Sequence, residues 1–128
     1  MFTADMTILY VPNVIKSADF YASLFDLRPI NVSPTFAMFV FENSFKFGLW
    51  SKYTVLPSVN NQPFNANGEI TFKVQHKKDV DFLYNEWGAF REITIIQSPT
   101  EMDFGYTFTA IDPDGHRLRV MFLQLEEA

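Results

Sequence analysis

Cysteine is absent from the chain. That excludes disulfides, thiolate nucleophiles and cysteine zinc sites. No apolar run approaches the length of a membrane span. The N-terminus, MFTADMTILY, has neither the basic start nor the long apolar segment of a signal peptide. The expectation is a cytoplasmic protein with no membrane partner. Basic residues are outnumbered, with 10 Lys and Arg against 15 Asp and Glu, for a net charge of −5. An acidic chain repels a phosphate backbone, so nucleic acid is not expected as a partner. The five glycines are scattered and build no phosphate loop, and there is no Ser-His-Asp set or nucleophile elbow. No catalytic residue is assigned on these grounds.

What is present is a globular composition. Hydrophobic residues make up 48% of the 128 and charged residues 20%, enough for one domain over 1–128 with a real core. Aromatic residues reach 17%, with 15 phenylalanines. Most belong in the core, which leaves several for an aromatic-lined pocket.

Taken in order, Thr3–Val11 reads as a strand that Pro12 ends. Asn13 is a plausible N-cap for a helix over Val14–Leu27, in which Ser17, Phe20, Tyr21, Leu24 and Phe25 follow helical spacing. Pro29 stops that helix. Ile30–Ser33, Phe36–Glu42 and Phe45–Ser51 read as three strands. Residues 52–67 hold prolines, asparagines and glycine-free polar stretches that read as a linker. The pattern then restarts. Glu69–Gln75 is a strand, and Asp79 can cap a helix carrying Val80, Leu83, Tyr84 and Trp87 on one stripe. Glu92–Gln97 is a strand, Ser98–Gly105 a loop, and a hairpin closes the chain.

The halves are weakly self-similar. Leu9 and Val11 match Phe72 and Val74, Asp19-Phe20 matches Asp81-Phe82, and Arg28 and Ile30 match Arg91 and Ile93. The fold class expected is α+β, with two βαβββ modules over about 1–51 and 68–128 joined by linker 52–67. Such half-units pair through their sheets.

The closing hairpin, GYTFTAIDPDGHRLRV, turns on Asp112-Pro113-Asp114-Gly115. Pro113 fixes φ, the aspartates can bond nearby N–H groups, and Gly115 takes the position with φ > 0. In this context the hairpin resembles the end of the glyoxalase/bleomycin-resistance/dioxygenase (vicinal oxygen chelate) superfamily. LYVPNVIKSADFYASLF resembles that family's first strand, turn and Ser-x-x-Phe-Tyr helix. The match looks closest to a metal-free branch, the phenazine-antibiotic resistance proteins. It is carried by Leu9-Tyr10-Val11, Asn13-Val14, Ser17, Asp19-Phe20-Tyr21, Trp50-Ser51, Asn85-Glu86-Trp87 and Phe104-Gly105 with the DPDGH run. The resemblance implies an open U-shaped sheet with helices on its convex side. It also implies a homodimer in which both subunits build each pocket, a planar aromatic small molecule as partner, and no cofactor.

Metal-dependent members set four His, Glu or Gln ligands on the concave face. The positions here are Met6, Gly48, Glu69 and Arg119, and only Glu69 can serve. Neither His76 nor His116 has a second histidine at helical or strand spacing, so both read as surface or supporting polar residues. No metal is expected.

Strand alternation sets Met6, Ile8 and Tyr10 on one face. It sets Glu69, Thr71 and Lys73 on another, with Arg117, Arg119 and Met121 beside them. These mixed sets are the ones expected to line the concave face, with Trp50 on the parity of Gly48. Trp50 offers a stacking surface, Gly48 room beside it, and Arg119 a fork for a carboxylate. Glu69 can accept from an amine or hydroxyl, or simply neutralise Arg119. Phe36, Phe39 and Phe41 lie in or near the third strand, and either of its faces could reach the pocket; Phe39 and Phe41, which share one face, complete the candidate ligand-binding set. Trp87 lies on a helix stripe and reads as core. The alternatives are a glyoxalase-like lyase or isomerase using Glu69 as base, and a structural or regulatory dimer without a ligand.

Overall fold

The computed structural model describes residues 1, 3–59 and 68–124. The chain divides into two compact units, Met1–Pro63 and Phe64–Ala128.

In the first unit, β1 (Met6–Val11) leads to α1 (Val14–Phe25), then β2 (Asn31–Val32), β3 (Phe36–Val40) and β4 (Lys46–Ser51). Asn13 is extended, and its side chain accepts from the Lys16 N–H at 3.0 Å, which fixes the helix start. The helix ends before Pro29. Asp26 adopts a left-handed conformation with φ 50°, and its N–H returns to the Ala22 and Ser23 carbonyls. The sheet order is β1-β4-β3-β2, with β1 parallel to β4 and the other pairs antiparallel. Buried Val14, Ala18, Tyr21 and Leu24 of α1 meet Val11, Ala37, Phe39, Phe47 and Leu49 of the sheet. Phe25 closes this layer edge-on against Phe39, Phe41 and Phe47, at centroid separations of 5.9, 5.1 and 5.3 Å. Burying a Phe contributes about 1.5–3 kcal/mol, so this cluster is a main source of the unit's stability.

The expected linker begins later than the sequence suggests. Lys52 N–H bonds the Val11 carbonyl, Thr54 and Val55 N–H groups return to Ser51, and Val55 is buried. These residues finish the first unit. Residues 60–67 of the expected linker lie outside the described residues.

The second unit repeats the plan. Its elements are β5 (Glu69–Lys73), α2 (Lys77–Gly88), β6 (Thr94–Met102), β7 (Gly105–Ile111) and β8 (Arg117–Leu123), in sheet order β5-β8-β7-β6. The N-cap of α2 is His76, three residues earlier than expected. Asp79 sits at the third helical position and accepts from the His76 N–H at 3.2 Å. Trp87 is a core residue, edge-on to Phe72 and to Phe108 at 5.6 Å each.

The expected loop at Ser98–Gly105 is strand as far as Met102. Pro99 lacks a donor, but β6 is the sheet edge, and the register shifts between Gln97 and Thr100. Gly105 has φ 146°, and a Cβ there would stand 2.0 Å from the Phe122 carbonyl oxygen, so only glycine fits. Both βαβββ modules are therefore present in an α+β fold, each with one helix on one face of its sheet.

Candidate functional site

Each sheet has a second face, opposite its helix. In the first unit, β1 contributes Met6, Ile8 and Tyr10 to it, β3 contributes Phe36, Met38 and Val40, and β4 contributes Lys46, Gly48 and Trp50. The register pairs Tyr10 with Trp50, Trp50 with Phe36, and Gly48 with both Ile8 and Met38. Eight of these nine residues are apolar or aromatic, yet only Gly48 is buried, and Tyr10 and Met6 are 45% and 38% exposed. This face therefore holds Met6, Tyr10, Gly48 and Trp50 together, as the strand parity predicts.

Two details differ from expectation. Gly48 does not leave open room. A Cβ there would meet the Phe36 ring at 3.1 Å, Ile8 at 3.2 Å and the Met6 methyl at 3.2 Å, so neighbouring side chains already lie over it. Phe36 also stands edge-on to the Trp50 indole, with centroids 6.2 Å apart and planes at 87°. Phe36 was outside the expected ligand set, although it shares parity with Met38 across from Gly48. Phe39 and Phe41 correct the expected ligand set. Both pack on Phe25, and Phe39 is fully buried, because the odd residues of β3 turn toward α1.

In the second unit the corresponding face is polar. Arg119 Nε donates to Glu69 Oε1 at 2.6 Å, and Nη1 donates to Gln97 Oε1 at 3.1 Å and Thr107 Oγ1 at 3.3 Å. Thr109 Oγ1 donates to the same Gln97 oxygen at 2.9 Å, and Thr107 Oγ1 to the Val120 carbonyl at 2.8 Å. Thr107 and Thr109 are buried, so these bonds satisfy hydroxyls that would otherwise be costly. The Phe104 ring lies 6.0 Å from the guanidinium carbon. Arg119 and Glu69 keep only 14% and 29% of their side-chain surface exposed, so this pair is held more tightly than a surface ion pair. An open hollow of about 440 Å³ adjoins it, lined by Ile96, Gln97, Thr109, Ile111, Arg117 and Arg119.

The structure thus brings Glu69 and Arg119 into direct contact, one of the two arrangements the sequence left open. Gln97, Thr107 and Thr109 were missed. Their signal was the alternation of Thr107, Thr109 and Ile111 into the DPDG turn, which puts them on the face of Arg119.

The four metal-ligand positions do not fit an ion. Met6 lies over Gly48, which has no donor atom, and Glu69 is engaged by the cationic Arg119. The ligand atoms of Asp112, Asp114 and His116 fall within 4.8 Å of one another. Asp112 serves the turn there, accepting from the Asp114 and His116 N–H groups at 2.9 and 2.8 Å, with His116 Nδ1 2.8 Å from its other oxygen.

Among the described residues, no helix is long and apolar enough to cross a membrane. The sequence pattern of the Glyoxalase/Bleomycin resistance protein/Dioxygenase superfamily matches residues 3–120. The phenazine antibiotic resistance protein EhpR of Enterobacter agglomerans is 35% identical over 120 residues, 92% of this chain and 90% of that protein. A protein of Agrobacterium tumefaciens, solved by solution NMR, superposes with a TM-score of 0.85 at 43% identity, covering 98% of this chain and 100% of that one. A crystal structure of a glyoxalase/bleomycin resistance protein/dioxygenase family enzyme from Burkholderia phytofirmans PsJN shares the fold. Its TM-score is 0.80 at 19% identity, covering 94% of this chain and 98% of that one. The twin βαβββ units, the DPDG hairpin and these likenesses agree, and the chain belongs to the glyoxalase/bleomycin resistance/dioxygenase superfamily.

Proposed function

We propose that this protein binds and sequesters a planar aromatic small molecule of the phenazine type, in a resistance role and without a metal. The observation that carries this reading is the aromatic face of the first unit. Trp50, Tyr10 and Phe36 lie there partly exposed with Met6 and Met38, on the side of the sheet away from its helix. Flat aromatic surfaces of this kind stack on planar rings, and thioethers adapt to their outline. The likeness to a phenazine antibiotic resistance protein over nine-tenths of the chain supports the ligand class. In the second unit Glu69 Oε1 already accepts from Arg119 Nε, and we take this engagement to favour binding over proton abstraction.

The protein acts in the cytoplasm as a homodimer in this reading. An apolar sheet face of this extent is usually covered in a folded protein, and two-fold pairing covers it twice. Sedimentation at micromolar concentration checks the dimer, and a monomer there counts against it.

The deciding experiment is calorimetric titration with phenazine and with a phenazine carboxylate, followed by analysis of the recovered compound. Saturable binding with the compound returned unchanged supports sequestration. Absence of binding to both, or their chemical conversion, defeats it.

A further inference from the structure

The register of the second sheet places Arg117 directly across from Glu69, yet Glu69 pairs with Arg119, two residues further along β8. Arg117 forms no ion pair among the described residues and is exposed. Arg119 is also incompletely used. Nε and Nη1 make its hydrogen bonds, and Nη2 makes none among the described residues. Arg117 and Arg119 both line the same hollow, and none of its lining residues carries a carboxylate. With Glu69 counted, the three side chains sum to one positive charge, in a chain whose net charge is −5. Local cationic character of this kind, set against the sign of the whole chain, selects for an anion at that place.

The rest of the lining narrows the anion. Ile96 and Ile111 supply hydrocarbon to the lining, while Gln97 is engaged at both ends, Oε1 accepting from Thr109 Oγ1 and Arg119 Nη1 and Nε2 lying 3.4 Å from Met102 Sδ. Beyond the two guanidinium groups few polar atoms remain for a highly hydrated ion, and the volume of about 440 Å³ exceeds what a bare inorganic anion fills. A carboxylate attached to a flat or short apolar body matches both parts, with planar oxygens for the guanidinium groups and carbon for the isoleucines.

We infer that the hollow between β6, β7 and β8 is a carboxylate subsite served jointly by Arg117 and Arg119 Nη2. Arg117 is the residue that makes the site prefer acids over their neutral amides. Arg119, committed to Glu69, Gln97 and Thr107, is the fixed half of the pair, and Arg117 the adjustable half. The inference goes beyond the proposed function, since it concerns the second unit by itself and rests on that reading only for the expectation of a flat ligand body.

The test uses benzoate and benzamide, which share shape and differ in charge, with the intact protein followed by NMR. Benzoate should shift the amides of Gln97, Thr109, Arg117 and Arg119, and bind less well as salt is raised. Benzamide should bind these residues roughly fivefold more weakly, and Arg117→Gln should remove that difference, as expected for a partly exposed ion pair. Arg117 is exposed, so the variant should fold, and the spectrum itself reports that. Equal binding of benzoate and benzamide overturns the inference. So does an unchanged benzoate affinity in Arg117→Gln, or shifts confined to other residues. If benzoate behaves as stated while phenazine fails to bind, the subsite stands and the phenazine reading falls.

Discussion

Phe36 meets Trp50 edge to face, with ring planes at 87° and centroids 6.2 Å apart. The contact joins neighbouring strands and holds the indole at a set angle on the open face of the first sheet. A ring held in this way is ordered before any ligand arrives, so stacking costs little further entropy.

Trp50→Ala should therefore weaken every planar ligand, charged or not. Stacking contributes about 0.5–1.5 kcal/mol per ring beyond area burial, or roughly a two- to twelvefold loss in affinity. Titration calorimetry of the folded variant checks this, and an unchanged affinity removes Trp50 from the site.

Arg119 should behave differently. Arg119→Ala removes the partner of Glu69 and of Gln97, and should weaken carboxylated ligands more than neutral ones. It should also cost about 1 kcal/mol of stability in urea, because Glu69 and Gln97 lose a charged partner that water replaces only in part. Arg119→Lys should recover little, since an ammonium cannot reproduce a fork that donates from Nε and Nη1 in different directions.

Gly48→Val tests the packing over the glycine. The added methyls would enter space held by Phe36, Ile8 and the Met6 methyl. The expected cost is about 1–3 kcal/mol in chemical denaturation. Because Phe36 also touches Trp50, the indole emission should change with it. A fully stable variant with unaltered emission would show that this layer repacks freely.

Metal analysis of purified protein should find no stoichiometric transition metal held through the four superfamily positions. Glu69 is the one plausible ligand among Met6, Gly48, Glu69 and Arg119, and it is bonded to a cation. About one Zn, Ni, Mn or Fe per chain, lost in Glu69→Gln, would reverse this conclusion.

Alkaline pH should loosen the second unit at Tyr106. Its hydroxyl donates to Asp81 Oδ1 at 2.7 Å, and this bond, with burial and the charges of Asp81 and Glu101, raises its pKa above the ordinary 10.0. A raised folded-state value means the contact stabilises fully below the ordinary tyrosine pKa and is lost as pH climbs through the raised one. Phenolate absorbance should show Asp81→Asn bringing the Tyr106 titration back toward that of a free tyrosine. No change on that substitution would assign the shift elsewhere.

The local rules that were legible in the sequence are those with a short range. The Asn13 cap, the Gly115 turn and the Trp87 stripe each depend on a few neighbouring residues, and each is found as read. Strand parity was enough to group Met6, Tyr10, Gly48 and Trp50, and to bring Arg119 to Glu69. It did not say which parity of β3 faces α1, because Phe36-Ala37-Met38-Phe39-Val40 is apolar on both sides. Phe39 and Phe41 were misassigned for that reason. Ser98–Gly105 read as a loop, but Pro99 is tolerated in β6 because that strand is an edge, where a missing N–H is harmless, and nothing local reveals an edge. The Gln97 bonds needed the register across β6, β7 and β8, with its shift near Gln97, which no local rule supplies.

The two sheets share one strand order, so each place on β1 and β4 has a counterpart on β5 and β8. Met6 with Lys46 and Ile8 with Gly48 stand where Glu69 with Arg117 and Thr71 with Arg119 stand in the other unit. The same scaffold therefore carries a mainly apolar set in one copy, with Lys46 drawn to Asp5, and the Glu69–Arg119 pair in the other. Repetition of this kind lets one backbone plan carry two different surfaces, so the chemistry of an open face is set by single side chains and not by the strand order beneath it.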